Sequence, residues 1–291
     1  MLTIVIPAYN EEAAIRDTIA RCRAVFAELD AQDGEIIVVD DASTDNTLKI
    51  AREEGVTTIS HPQNKGYGRS LKDGIVKAKN DWIAITDADG TYPCDQISIL
   101  LSEAKRGFDM VVGARTGEFY RSSSGKIFLR KTLGLLVNFT AGERIQDINS
   151  GLRVFRKSTI FPYLDTLCDT FSFTTSLTLA YLMTGKYVSH VPIPYFSRIG
   201  HSKVHLLKDS LRTLQFVVEA IIFYNPLKIF MVSSIFFLGL AFFAFLAGFI
   251  FQIKTGFLLG VGLTVSAFFN IGLGMIAVLL KQILHQIRFR P

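Results

Sequence analysis

The sequence predicts an α/β fold with a mostly parallel sheet, followed by interfacial amphipathic helices and a C-terminal two-helix transmembrane hairpin. Three observations predict it. From residue 2 to residue 113, short apolar runs alternate with amphipathic helical stretches, an order that implies parallel strands and right-handed crossovers. Charged residues recur where the apolar runs end. The hydrophobic excess of the 291-residue chain, 49% apolar with a mean hydropathy of +0.32, is concentrated after about Leu206.

The elements follow in order. Leu2–Pro7 is apolar and reads as a strand. Glu12–Leu29 is a helix with Ile15, Ile19, Cys22, Phe26 and Leu29 on one stripe. Glu35–Asp40, EIIVVD, is the near-continuous apolar run of a parallel strand buried on both faces. Ser43 or Asp45 can cap the next helix, which carries Leu48 and Ala51. Val56–Ser60 is a strand, Gly66–Ala78 a helix, Trp82–Ile85 a strand, Gln96–Lys105 a helix and Met110–Gly113 a strand. In such sheets ligands bind at the carboxyl ends of the strands. Tyr9, Asn10, Glu11, Asp40, Asp41, Asp87, Asp89 and Arg115 all fall at those ends.

Charge and cysteine content narrow the function classes. A formal net charge of +5 suits an anionic partner such as a membrane surface or a phosphorylated substrate, and is too weak to imply nucleic acid. Cys22, Cys94 and Cys168 lack metal-ligand spacing and read as reduced thiols on the cytosolic side. The N-terminus enters a strand directly and carries no secretory signal. No glycine-rich dinucleotide loop or P-loop lysine follows the first strand. What stands out is Asp87-Ala88-Asp89, after the Trp82 strand and before Gly90 and Pro93. Carboxylates at i and i+2 on an extended backbone share a face. A divalent cation relieves their repulsion, and the anion it then holds is typically a phosphate. The blander reading is a solvated turn.

The motifs around that turn decide between the two. Ile4–Glu12 (IVIPAYNEE), Val38–Thr47 (VVDDASTDNT), Asn64–Gly74 (NKGYGRSLKDG), Asp87–Pro93 (DADGTYP) and Val112–Arg115 (VGAR) resemble glycosyltransferase family 2, in the family's order and at about its spacing. Asp147–Arg156 (DINSGLRVFR) and Arg198–Lys203 (RIGHSK) are similar to the branch that acts on polyprenyl phosphates, the dolichyl-phosphate mannose synthase relatives. The resemblance covers roughly residues 1–203. It implies a nucleotide-diphospho-sugar-binding fold of the GT-A type. By motif position it implies that Pro7, Tyr9, Glu11, Val39, Asp41, Asp87, Ala88 and Asp89 contact the donor, with Arg198 and Lys203 facing its phosphates. Asp87 and Asp89 would hold Mg2+ or Mn2+, and catalysis would rest on Asp89, Arg115 and Arg130. Arg115, Lys126, Arg130 and Lys131 would meet a lipid phosphate. The donor would be of the UDP-glucose or GDP-mannose type. Thr91 stands where the mannose-synthase branch often has Gln, so the resemblance does not name the sugar.

Each implied role has a chemical reason. A departing diphosphate gains charge as the anomeric bond breaks, which a metal and fixed guanidinium groups stabilise. Ionised Glu11 and Asp41 only accept, which suits ribose hydroxyls or a base N–H. Tyr9 can stack on the base.

Residues 117–125, GEFYRSSSG, read as a polar loop. Lys126–Thr140 reads as a basic amphipathic helix, suited either to a membrane interface or to packing on the sheet. A strand over Leu152–Phe155, a Thr-rich helix over Phe171–Thr184 and a proline-interrupted edge strand from Tyr187 follow. Val204–Phe223 is an amphipathic juxtamembrane helix, ended by Asn225-Pro226. Ile229–Ile253 and Gly256–Leu280 are two uncharged runs of 25 residues each, long enough to span a bilayer as an antiparallel hairpin. Lys228 flanks one, and Lys281, Arg288 and Arg290 flank the other. The positive-inside rule therefore puts both flanks, both termini and the catalytic domain in the cytoplasm and the Lys254 link outside. Gly239, Gly248, Gly260, Gly262, Gly272 and Gly274 would allow close helix packing or homo-oligomer contacts.

The expected domains are residues 1–203, 204–226 and 227–291. The reading is a membrane-bound, metal-dependent, inverting glycosyltransferase that moves one sugar to a polyprenyl phosphate. Two alternatives stay open: a family 2 transferase with a hydroxyl acceptor, and a nucleotide-sugar-binding membrane protein without turnover. A hydroxyl acceptor needs a general base. Relatives acting on hydroxyls supply it from a Glu-Asp pair near the region that here reads Cys168–Thr175, where only Asp169 is present.

Overall fold

The computed structural model describes residues 1–31, 33–117, 138–139, 142, 145–198, 214–215, 217–223 and 225–288. Lys126, Arg130, Lys131, Lys203 and most of the helices expected over 126–140 and 204–223 lie outside the described residues. The chain divides into two compact units, Met1–Val217 and Val218–Pro291.

In the first unit, β1 (Leu2–Ala8), β2 (Glu35–Asp40), β3 (Thr57–Ser60), β4 (Trp82–Ile85), β5 (Met110–Thr116), β6 (Arg153–Arg156) and β7 (Val188–Pro194) form one sheet in the order β3-β2-β1-β4-β6-β5-β7. β1 pairs in parallel with β2 and β4, β2 with β3, and β5 with β7. β6 is the exception, antiparallel to both β4 and β5. The strand order reverses at β1, where β2 leaves on one side and β4 on the other. That switch point opens a crevice at the carboxyl ends.

The helices of this unit are α1 (Ile15–Glu28), α2 (Thr47–Glu53), α3 (Tyr67–Lys77), α4 (Gln96–Lys105), the short α5 (Lys157–Ile160) and α6 (Phe173–Met183). All seven residues of β1 are buried, because helices cover both faces of a parallel sheet. On one face Ile4 and Ile6 meet Ile15, Ile19 and Cys22 of α1 and Ile97 and Leu100 of α4 in a single core. On the other face α3 sits so close that a Cβ added at Gly74 would lie 2.4 Å from Val5 Cγ1. The start of α2 divides the two residues expected to cap it. The N-cap position is Asn46, but Asp45 Oδ1 accepts from the N–H of Thr47, the first helical residue, at 3.0 Å, so Asp45 does satisfy a helix-start donor. Ser43 Oγ instead accepts from the Asn10 N–H at 2.9 Å, and Asp45 Oδ2 accepts from the Glu12 N–H at 3.2 Å. The polar side chains of this loop therefore both cap the helix and staple it to the β1–α1 loop.

The second unit contains α7 (Pro226–Phe251) and α8 (Lys254–Arg288). Both are long and apolar enough to cross a membrane, and only 17% and 11% of their most apolar windows are buried. Phe242, Phe249, Leu258 and Phe268 are each more than 60% exposed, an apolar surface that water disfavours and a bilayer accepts. The turn between the two helices is made by Gln252 in the left-handed conformation. Small residues do bring the helices together, but not all of those expected. A Cβ on Gly256 would lie 2.8 Å from Gly248 Cα, and one on Gly260 would enter the Phe245 ring. Gly239, Gly262 and Gly272 have open space at that position. Ser234 Oγ donates across the pair to the Ala267 carbonyl at 2.9 Å, a bond favoured where water is absent.

Candidate active site

The crevice is built from three loops at the switch point. After β1 the chain turns through Asn10, and after β2 through Ala42, both at positive φ (52° and 62°). Non-glycine residues rarely hold that conformation unless their surroundings enforce it. Here the two loops brace each other. Asn10 Oδ1 accepts from the Thr44 N–H at 2.7 Å, Glu11 N–H donates to Thr47 Oγ1 at 2.8 Å, and Glu12 Oε2 accepts from the Asn46 N–H at 3.0 Å. Glu11 and Asp41 are thus held at adjacent strand ends.

The third loop carries the acidic pair. β4 ends at Ile85, so Asp87 and Asp89 sit in the turn beyond it. Strand alternation does not place them, as the sequence reading supposed; the turn does. Asp89 Oδ1 accepts from the Thr91 N–H at 3.1 Å and its hydroxyl at 2.6 Å. Asp87 Oδ1 accepts from the Tyr67 hydroxyl at 2.9 Å. Burial, and then the charge of Asp89, push the Asp87 carboxyl up to about 7, against the pull of Tyr67, Arg115 and Arg198. Behind it lies Gly151, where a Cβ would fall 2.7 Å from Asp87 Oδ1. The acidic pair is crowded, with Asp89 buried and Asp87 half-buried.

Cations reach the crevice from distant parts of the chain. Arg198 donates to Glu11 Oε1 at 2.5 Å and lies 3.4 Å from Asp89 Oδ2. Arg115 is not a surface salt bridge. It forms a two-pronged pair with Asp147, Nε to Oδ2 at 2.7 Å and Nη2 to Oδ1 at 2.9 Å, and stands 5.3 Å from the Tyr195 ring centroid. Burial opposes the ionised form of Asp147, but the Arg115 fork wins and its carboxyl is held below the usual range. Arg153 is fully buried. It donates to the carbonyls of Ser150 (2.8 Å) and Ile148 (2.6 Å) and to Thr178 Oγ1 (2.6 Å).

Of the residues expected at the site, the structure groups Glu11, Asp87, Asp89, Arg115 and Arg198 at one mouth, with Tyr9 half-buried beside Glu11. Asp41 stands on the β2 side, 4% exposed. Pro7, Val39 and Ala88 are buried in the packed interior, so they offer a ligand no side-chain surface. Tyr67, Asp147, Gly151 and Arg153 belong to the site and were not singled out from sequence. Arg153 left a trace there, as a charge inside an apolar strand run. The others stand inside the quoted motifs, Tyr67 in NKGYGRSLKDG and Asp147 and Gly151 in DINSGLRVFR, but their individual roles are not legible there, because their partners are remote in sequence.

Residues 3–161, more than half of the chain, match the sequence profile of glycosyl transferase family 2. The chain belongs to glycosyl transferase family 2. Among its family relatives is the low-salt glycan biosynthesis hexosyltransferase Agl6 of Haloferax volcanii, 29% identical over 75% of this chain. The chain spans only about half of that relative, 53% of its length. A dolichyl-phosphate hexose transferase of the same organism is 28% identical over 70% of this chain and 86% of its own. The family fold is also seen in the glucosyl-3-phosphoglycerate synthase of Mycobacterium tuberculosis, solved with Mn2+, UDP and glucosyl-3-phosphoglycerate. Its TM-score is 0.57 at 18% identity, covering 76% of this chain and 79% of that one. The likeness shows the shared GT-A-like α/β fold.

The acidic pair fits a divalent ion of the kind the family fold accommodates. Two carboxylates, Asp89 buried and Asp87 half-buried, with Asp87 pushed up to about 7 by burial and then by Asp89, make an oxygen-rich, negative donor set. Among the described residues no group of three or more His, Cys, Asp or Glu could hold a metal. Asp87 and Asp89 would therefore supply only part of a shell, as is usual where substrate phosphates and water complete it.

Proposed function

We propose that the chain transfers one sugar from a nucleotide-diphospho-sugar to a polyprenyl phosphate, with the lipid phosphate as nucleophile and inversion at the anomeric carbon. The observation that carries this reading is the Asp87–Asp89 pair at the switch-point crevice, flanked by Arg115 and Arg198. A phosphate oxygen attacks the anomeric carbon, the bond to the donor diphosphate breaks, and a nucleoside diphosphate leaves. A divalent ion on Asp87 and Asp89 would neutralise the charge of that leaving group. Arg198 sits where a guanidinium can exchange Glu11 for a phosphate oxygen. The Asp147 fork holds Arg115 in a fixed direction, so its charge is pre-set rather than reorganised during reaction.

The acceptor reading is supported by a missing base. Asp169 is the one carboxylate in the segment where hydroxyl-transferring relatives carry a Glu-Asp pair, and it is engaged by Lys72 Nζ at 2.6 Å. A phosphate monoester is largely dianionic at neutral pH and needs no base. The name of the dolichyl-phosphate hexose transferase points the same way, as do the two apolar helices, which would keep the enzyme in the bilayer with its acceptor. The test uses the purified full chain with a panel of labelled nucleotide sugars and undecaprenyl or dolichyl phosphate. The label is expected to move into the organic phase and to be released by mild acid. Transfer only to a hydroxyl acceptor, or binding without turnover, would favour one of the two alternatives.

The same reading places the first unit and both helix flanks in the cytoplasm, on the positive-inside rule. A cysteine at Lys254 is expected to react with an impermeant thiol probe on intact cells. A cysteine at Lys79, whose side chain is 81% exposed, is expected to react only after lysis. The native thiols Cys22, Cys94 and Cys168 are buried and give little background. Labelling at Lys79 in intact cells would reverse the orientation.

A further inference from the structure

We propose that His61 and Asp73 are positioning residues for the donor nucleotide: the imidazole, clamped between two carboxylates, fixes Asp41 with one acceptor position turned to the ligand. The proposal rests on the reading of the β2 end as the nucleotide side of the crevice.

The geometry is a chain of four groups. Asp41 Oδ1 lies 2.7 Å from His61 Nδ1 and accepts from the Lys65 N–H at 2.8 Å; Oδ2 accepts from the Gly66 N–H at 2.8 Å. On the far side of the ring, His61 Nε2 lies 3.1 Å from Asp73 Oδ2, which also accepts from Arg69 Nε at 2.9 Å. The His61 side chain is 9% exposed and that of Asp41 is 5% exposed. Each ring nitrogen therefore lies within hydrogen-bond reach of a carboxylate, and a hydrogen on Nδ1 is donated to Asp41, which as an ionised carboxylate only accepts. The ring is further fixed by its own backbone, whose N–H donates to the Asp40 carbonyl at 2.9 Å.

This arrangement does two things for a ligand. A carboxylate has about four acceptor positions. Among the described residues, donors take two on Oδ1 and one on Oδ2, which leaves one on Oδ2 for an imide N–H or a ribose hydroxyl. The ring also faces Asp41 with a donor that offsets its charge, so a diphosphate arriving nearby is repelled less. The effect does not stop at the β2 loop. Asp41 holds the Gly66 N–H, and the next residue, Tyr67, donates to Asp87. The nucleotide side and the acidic pair thus share one braced loop, with Asp73 and Arg69 one turn further along α3.

The experiment titrates UDP and GDP, with Mg2+, into the detergent-purified full chain and into His61→Phe, His61→Gln and Asp73→Asn. For the nucleotide that the wild type binds, His61→Phe is expected to raise Kd about tenfold, the order carried by one charge-assisted hydrogen bond. His61→Gln keeps one donor, and Asp73→Asn leaves the ring in place, so each is expected to raise Kd less. The loss should fall on the donor KM, with kcat at saturating donor little changed. Nitrogen NMR of the wild-type ring should show a hydrogen on Nδ1, the nitrogen that faces Asp41. If His61→Phe does not fold, Asp73→Asn carries the same test, since Asp73 is 28% exposed. An unchanged Kd in Asp73→Asn and in the folded His61 variants would overturn the proposal, as would a ring with a bare Nδ1. A wild type that binds neither nucleotide would instead bring down the reading beneath it.

Discussion

Asp89→Ala should lower the transfer rate about a hundredfold or more, the size expected when a charge contact to the leaving group is lost. Asp89 has two jobs that the structure separates. Its Oδ1 holds the turn through the Thr91 N–H and hydroxyl, while Oδ2 faces the crevice, 3.4 Å from Arg198. Asp89→Asn keeps an oxygen for Thr91 and loses only the charge. If the charge is what matters, the asparagine variant should be nearly as slow as the alanine one, with a melting temperature close to wild type. Removing Asp89 also removes the second-largest cause that pushes the Asp87 carboxyl up, so Asp87 ionises more fully, but one carboxylate then stands where two did. Chelator in excess should stop wild-type turnover, and added Mg2+ or Mn2+ should restore it. The check is the initial rate of nucleoside diphosphate release with and without chelator. Full activity in chelator, or a fast Asp89→Asn, would remove the metal from the reading.

Much of the fold was legible because burial writes itself as periodicity. EIIVVD reads as a strand covered on both faces, and two uncharged runs of 25 residues read as helices long and apolar enough to cross a membrane. Strand direction is not written that way, so nothing in the run Leu152–Phe155 marked it as the antiparallel strand inserted between β4 and β5. The site was half legible for a related reason. The residues expected to meet a ligand sit in short motifs near strand ends, and Asp87, Asp89, Glu11 and Arg198 appear there. Residues that hold those groups in place reach them from afar. Asp147 is 32 residues from Arg115, and Glu11 is 187 from Arg198. Tyr67 and Gly151 touch Asp87 from two different elements. No spacing rule connects such pairs, and only the closed fold shows that they meet.

Arg153→Met should slow transfer by at least about tenfold while costing the fold only on the order of 1–3 kcal/mol. Two opposed magnitudes set the stability side. Removing the guanidinium leaves two buried carbonyls and the Thr178 hydroxyl without their donor, at roughly 1–3 kcal/mol for each one not re-paired. Against this, burial pulls the Arg153 pKa down to about 10, so the guanidinium is kept charged at a cost that methionine removes. The two terms oppose each other, and a melting temperature lower by several degrees is expected. The catalytic side has no such offset. Arg153 pins the carbonyls of Ile148 and Ser150, in the same loop as Asp147, which aims Arg115, and Gly151, which backs Asp87. With the pin gone, that loop can shift both charged groups by the fraction of an ångström that matters for positioned catalysis. Arg153→Lys should not rescue the rate, because one ammonium cannot reproduce a planar fork that reaches three acceptors in fixed directions. Thermal melting and initial rates on the same purified samples decide the matter. A variant that keeps the wild-type rate while melting earlier would show that Arg153 serves the core alone.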